Sequence, residues 1–202
     1  MQSLVHTYKQ NVNLGKIQRD KEQERLVIKF DTLRIAVEQN RKKILFSKSA
    51  LTPKGIYLWG GVGCGKSMIM DMFVESLTVG VRRLHFHSFM QEVQSLLNLA
   101  RQSKVRDVLV PVVKKLTNEV KVLALDELQI KDIADAMIVG RLFEALMTKG
   151  VTVVITSNRP PIDLYKNGLN RDLFLPFIRL IEAKFDVLEV SGVKDYRQSF
   201  IS

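Results

Sequence analysis

The chain has 202 residues, one cysteine and a formal net charge of +10. That length suits one domain with a small appendage, a lone cysteine excludes an internal disulfide, and the setting expected is a reducing one. The longest apolar runs fall far short of the roughly 18 residues that a membrane-spanning helix needs.

The first ten residues, MQSLVHTYKQ, have no apolar h-region and are not Arg-rich, so neither a signal peptide nor a mitochondrial transit peptide is expected. Residues 1–50 carry 11 Lys and Arg against 5 Asp and Glu, more than half of the net charge. A basic arm of this kind can meet nucleic acid or an anionic membrane surface. Here acids are interspersed (Asp20, Glu22, Glu24, Glu38), which favours a solvated helix face. Nucleic acid is therefore a possible partner but not the favoured one, and any membrane association would be peripheral.

Residues 1–15 read as a short helix or coil ending near Gly15. From 17 to 46, apolar residues recur at spacings of mostly three and four, including Leu26, Val27, Phe30, Leu33 and Val37. That predicts a long amphipathic helix. Ser47 to Pro53 is turn-like. The division expected is an N-terminal helical segment, 1–50, and the main domain, 51–202.

The domain begins with an apolar strand at about 56–59, followed by a helix reaching Leu77. A second strand is predicted over 81–87 and a helix over 88–101, with a further short helix over 105–118. Val120 to Glu127 reads as a strand apolar on both faces, as in a buried parallel sheet. A helix over 132–149 closes at Gly150. Val151 to Thr156 is almost wholly β-branched, hence a strand. A helix over 171–185 and a strand over 186–190 complete the pattern. Strands alternating with helices predict an α/β fold, a parallel sheet with helices on both faces.

One motif organises this pattern. Gly60-Gly61-Val62-Gly63-Cys64-Gly65-Lys66-Ser67 fits G-x-x-x-x-G-K-[ST], the P-loop, and lies between a strand and a helix as that motif requires. Glycines let backbone N–H groups close on a phosphate, and the helix start aims its positive dipole end at the same anion. Lys66 adds a full charge, Ser67 offers a hydroxyl to Mg²⁺, and Met68 extends the cradle. The cofactors expected are ATP and Mg²⁺.

Asp126-Glu127 ends the buried third strand, where open α/β sheets place their ligands. Asp126 matches the acid that holds Mg²⁺, and Glu127 is the candidate base for the attacking water. Asn158, ending the fourth strand, could hold that water or the γ-phosphate, the role called sensor 1. Arg171 is a candidate arginine finger, with Arg141, Arg159 and Arg179 as competitors that spacing alone does not separate. His85 and His87, two apart on the predicted second strand, share a face. With no third ligand evident they read as structural or interface residues. Cys64, near a helix N-terminus, is a candidate redox thiol.

Several stretches resemble the AFG-like AAA+ ATPases, a family with bacterial cell-division and mitochondrial branches: GIYLWGGVGCGKS, RLHFHSFM, LALDELQIKDIADAMIVGRLF, GVTVVITSNRPPIDLYKNGLNRDLFLPFI and KDYR. The resemblance covers about residues 8–197. It implies a P-loop NTPase of AAA+ type, a three-layer sandwich with strand order 5-1-4-3-2, working as a homo-oligomer. It implies ATP hydrolysis with Asn158 as sensor 1 and Arg171 as the finger. It implies a protein substrate: the tubulin-like division GTPase in the bacterial branch, or inner-membrane quality-control clients in the mitochondrial one. The compartment expected is the bacterial cytoplasm, with the mitochondrial matrix as alternative. Leu128 stands where the family commonly has Phe, and the family's lid-like C-terminal region, which follows Arg197, is expected to be absent. The rival readings are a nucleic-acid-dependent ATPase and a non-catalytic nucleotide-binding adaptor.

Overall fold

The computed structural model describes residues 3–46, 52–103 and 105–191. The connector around 47–51 and the KDYR segment lie outside these.

Two helices open the chain, α1 (Leu4–Asn13) and α2 (Lys21–Phe46). Ser3 caps α1 by accepting from the His6 N–H at 3.1 Å, and Asp31 on α2 accepts from the Leu4 N–H at 3.0 Å. Both bonds satisfy donors that a helix start leaves unpaired. Strand β1 (Gly55–Gly60) leads into α3 (Lys66–Glu75). Strand β2 (Val81–His85), α4 (Phe86–Gln102) and α5 (Leu109–Leu116) follow. Then come β3 (Val122–Asp126), α6 (Ile133–Thr148) and β4 (Thr152–Ser157). After β4 two 3₁₀ turns, Pro161–Asp163 and Arg171–Leu173, precede α7 (Leu175–Lys184) and β5 (Phe185–Val190).

The five strands form one parallel sheet in the order β2-β3-β4-β1-β5. Read from the other edge, this is the expected 5-1-4-3-2. The period-two alternation of side chains separates two cores. Tyr57, Leu123, Leu125, Val153 and Ile155 face one way and pack with α4, α5, α6 and α7 through Phe89, Val112, Phe143 and Phe177. Ile56, Leu58, Ala124 and Val154 face the other way and pack with α3 and both N-terminal helices. The result is three layers. Phe30 of α2 meets Phe73 of α3 edge to face, with ring centroids 5.4 Å apart, so α2 is packed directly onto the helix that follows the P-loop.

Several predicted boundaries shift: the helix expected over 105–118 spans Leu109–Leu116, and that expected to reach Leu77 ends at Glu75. The helix expected from residue 88 begins at Phe86. Phe86, Phe89, Met90 and Val93 are all buried, and their i, i+3, i+4, i+7 spacing belongs to a helix. His85 therefore ends β2 while His87 lies in the first turn of α4, both exposed, and they do not share a strand face. The helix expected from Arg171 begins at Leu175. Asn170 adopts a left-handed conformation, a single 3₁₀ turn follows, and Pro176 sits in the first turn of α7, where it is tolerated.

Candidate functional site

The carboxyl ends of β1, β3 and β4 lie side by side at one edge of the sheet, so three separate segments of chain converge there. At the end of β1, Gly60 has no room for a side chain: a Cβ would stand 2.2 Å from the Val190 carbonyl oxygen. The loop then turns through Gly63 and Gly65 at φ of 80° and 93°, a region open to glycine at little cost. At Gly65 a Cβ would also stand 2.7 Å from Gln23 Nε2. Gln23, buried on α2, donates from Nε2 to the Cys64 carbonyl at 3.4 Å. Tyr8 of α1 donates to the Asp20 carbonyl and approaches Gln23 Oε1. The N-terminal helices thus hold the outside of the loop.

Lys66 starts α3 and is buried, its Nζ donating to the carbonyls of Gly60 at 2.8 Å and Gly61 at 2.6 Å. The Cys64 thiol is also buried and donates to the Gly61 carbonyl at 2.9 Å. Ser67 and Val62 are exposed, and Met68 is half-buried. The loop is a backbone cradle at a helix N-terminus, with an exposed hydroxyl in the first turn and a lysine beneath, and it fits a polyphosphate.

Asp126 ends β3 and is buried; Glu127, the next residue, is exposed and left-handed, with φ 58°. That conformation is uncommon for a residue with a Cβ. Thr156 of β4 supports it. Its Oγ1 accepts from the Glu127 N–H at 3.0 Å and its carbonyl from the Leu128 N–H at 2.8 Å. The same hydroxyl donates to Asp126 Oδ1 at 3.4 Å. Leu128 itself is buried, so an apolar residue serves there.

Several cations surround this edge. Arg83 of β2 donates from Nε to Asp126 Oδ2 at 2.7 Å and from Nη1 to Asp71 on α3. Burial works against its charge, but the hydrogen bonds to Asp126 and Asp71 outweigh that and raise its pKa. Lys131 and Arg159 line a cleft of about 540 Å³ together with Glu127, Asn158 and Tyr165. Glu127 and Asn158 therefore line the same cleft. Below them, Tyr57 donates to the Arg159 carbonyl at 2.8 Å, and burial pushes its phenol well above the ordinary range.

Arg171 does not line this cleft. Its Nη2 donates to the Ile162 carbonyl at 2.5 Å and its Nε is buried without a hydrogen-bond partner. Among its competitors, Arg141 lies 3.8 Å from Asp107, and Arg179 is exposed. Sequence reasoning missed Arg83, Thr156 and Gln23. No spacing rule marks them, because each acts on a residue 29 to 43 positions away.

A parallel sheet of this order, with a glycine-rich loop after its β1 and an acidic pair closing β3, defines a P-loop NTPase of the AAA+ type. The family model of the AFG1-like ATPases matches residues 2–201, and the chain belongs to that family. An uncharacterized protein of Schizosaccharomyces pombe is 45% identical over 151 residues, which are 72% of this chain and 33% of that protein. Cell division protein ZapE of Escherichia coli is 47% identical over 146 residues, 71% of this chain and 38% of ZapE. The chain thus spans about a third of the length of these curated relatives. Among solved structures, that of DnaI matches with a TM-score of 0.58 at 16% identity, over 89% of this chain and 87% of its own, a likeness of fold. No helix among the described residues is long and apolar enough to cross a membrane.

Proposed function

We propose that this chain is the ATP-hydrolysing part of an AAA+ machine that remodels a protein partner. One observation carries the reading: the loop that delivers Lys66 and Ser67 at the head of α3 opens at the same edge of the sheet as the strand end that delivers Asp126 and Glu127, with only β4 between their strands. Gly60 to Met68 cradle the phosphates, and Lys66 supplies the charge. Ser67 and Asp126 are the residues that would hold Mg²⁺, which when bound neutralises charge on the phosphates. Their donor set, a hydroxyl and a carboxylate, is the hard oxygen chemistry that Mg²⁺ takes. Glu127 takes the proton of the attacking water, and Asn158 orients that water from the adjacent strand end.

Arg171 is the proposed finger for a neighbouring subunit of a homo-oligomer. Its guanidinium bonds one carbonyl in an exposed contact, which leaves donor capacity at that end for a transition-state phosphate. The proposed partner is the tubulin-like division GTPase, supported by the likeness to a relative named for cell division. The lone Cys64, held as a buried thiol in the loop, supports a reducing compartment, and the bacterial cytoplasm is the one proposed.

The test is a pair of variants. Glu127→Gln keeps size but cannot take a proton, so it should bind ATP and barely release phosphate. Lys66→Ala should lose nucleotide binding. Turnover near wild type in Glu127→Gln, or unchanged affinity in Lys66→Ala, would overturn the reading.

A further inference from the structure

Asp126 is 8% exposed, and a carboxylate buried to that degree is costly unless its oxygens are engaged. Both are engaged unequally. Oδ2 takes a 2.7 Å bond from Arg83 Nε, while Oδ1 has a 3.4 Å contact from Thr156 Oγ1. Arg83 stands opposite Ala124 in the β2–β3 register, two residues before Asp126, so it lies on the same sheet face as Asp126. Its second bond goes to Asp71, one helical turn beyond Ser67. A single guanidinium therefore ties β3, which carries the proposed metal carboxylate, to α3, which carries the proposed metal hydroxyl.

Charge decides what this tie can do. A lone arginine beside a metal carboxylate would repel a cation. Here Asp71 offsets Arg83, and the three groups together keep one net negative charge. Arginine suits the task because its planar fork can bond two carboxylates in fixed directions, which an ammonium does not do.

We propose that Arg83 is a positioning residue for the metal site. It holds Asp126 by Oδ2, leaves Oδ1 for Mg²⁺ or a water on it, and sets the distance between Asp126 and Ser67. The inference rests on the proposed function above. Partners that orient a metal-holding carboxylate are worth roughly 10–100-fold in metal affinity.

The experiment measures affinity for a fluorescent, non-hydrolysed ATP analogue, in EDTA and across a Mg²⁺ titration. The proteins are wild type, Arg83→Ala, Arg83→Lys and Asp71→Asn, with thermal melting as a check of folding. The Mg²⁺ concentration giving half of the tightening should rise about tenfold or more in both Arg83 variants, as loss of an outer partner predicts. Asp71→Asn should move it the same way by a smaller factor, because the arginine keeps one anchor. The EDTA affinities should stay close to wild type, since the glycine cradle does not touch Arg83. An unchanged midpoint in folded Arg83 variants overturns the proposal, and so does a lower midpoint, which would make Arg83 a competitor of the metal. If Arg83→Ala fails to fold, Asp71→Asn decides, because its side chain is 53% exposed and its loss spares the core. Failure of the wider reading looks different: wild type itself would then bind no nucleotide, or bind it without regard to Mg²⁺.

Discussion

Thr156→Val removes one oxygen and almost no volume, so it tests the hydroxyl that supports Glu127 and makes a longer contact, 3.4 Å, with Asp126. The Glu127 N–H would lose its acceptor at 3.0 Å in a part-buried bond, and a bond of this kind contributes about 0.5–1.5 kcal/mol. The left-handed backbone of Glu127 costs roughly 1–2 kcal/mol by itself. The two terms are of the same size, so losing the bond should release the strained conformer. A loss of about 1.4 kcal/mol is a factor of ten in the population of the held state. The expected result is a fall of about tenfold in kcat, with little change in KM for ATP, because the P-loop makes none of these bonds and the Asp126 contact is a long one, 3.4 Å. Melting should drop by a few degrees, at roughly 2–4 °C per kcal/mol for a domain of this size. Steady-state phosphate release and a thermal melt measure both. Thr156→Ser, which keeps the oxygen, should recover most of the lost rate. If Thr156→Val melts lower yet turns over like wild type, the threonine supports the fold but not Glu127, and the reasoning fails.

Phe30→Ala should cost about 3–5 kcal/mol, because Phe30 is wholly buried against Phe73 of α3. The melt should stay a single transition, and a separate unfolding of α1 and α2 ahead of the sheet would contradict a shared core. Tyr57 has a raised pKa from burial, so the folded chain keeps its proton where the unfolded chain releases it. Its contribution is intact below about pH 10 and declines above it; Tyr57→Phe should flatten stability in that alkaline range, and an unchanged alkaline slope would refute the assignment. Arg171→Ala should bind ATP and lose most turnover, since arginine fingers are worth about 10³–10⁵ in rate. Mixing it with Lys66→Ala should restore some activity in a concentration-dependent way, and mixtures that stay inactive while wild-type oligomers exchange subunits would rule out action between subunits.

The local structure of this chain was legible in its sequence. Gly60 to Ser67, the apolar run into Asp126-Glu127 and the β-branched Val151 to Thr156 each carry their meaning within a few residues. Phosphate cradling, strand burial and helix starts depend on short-range backbone freedom and side-chain shape. The parallel sheet followed from the alternation of strands and helices, and the resemblance supplied its strand order. Where local pattern was ambiguous, tertiary packing decided. Phe86 could end a strand or begin a helix, and its burial beside Phe89 settled it as a helix start. Only the assembled sheet could show what surrounds the acidic pair. The order β2-β3-β4 puts Arg83 on one side of Asp126 and Thr156 on the other, from 43 and 30 residues away in the chain. Gln23 reaches the P-loop carbonyl across 41 residues because α2 packs on α3. No spacing rule links such residues. Their proximity is set by which apolar faces bury one another, and that depends on the whole chain at once.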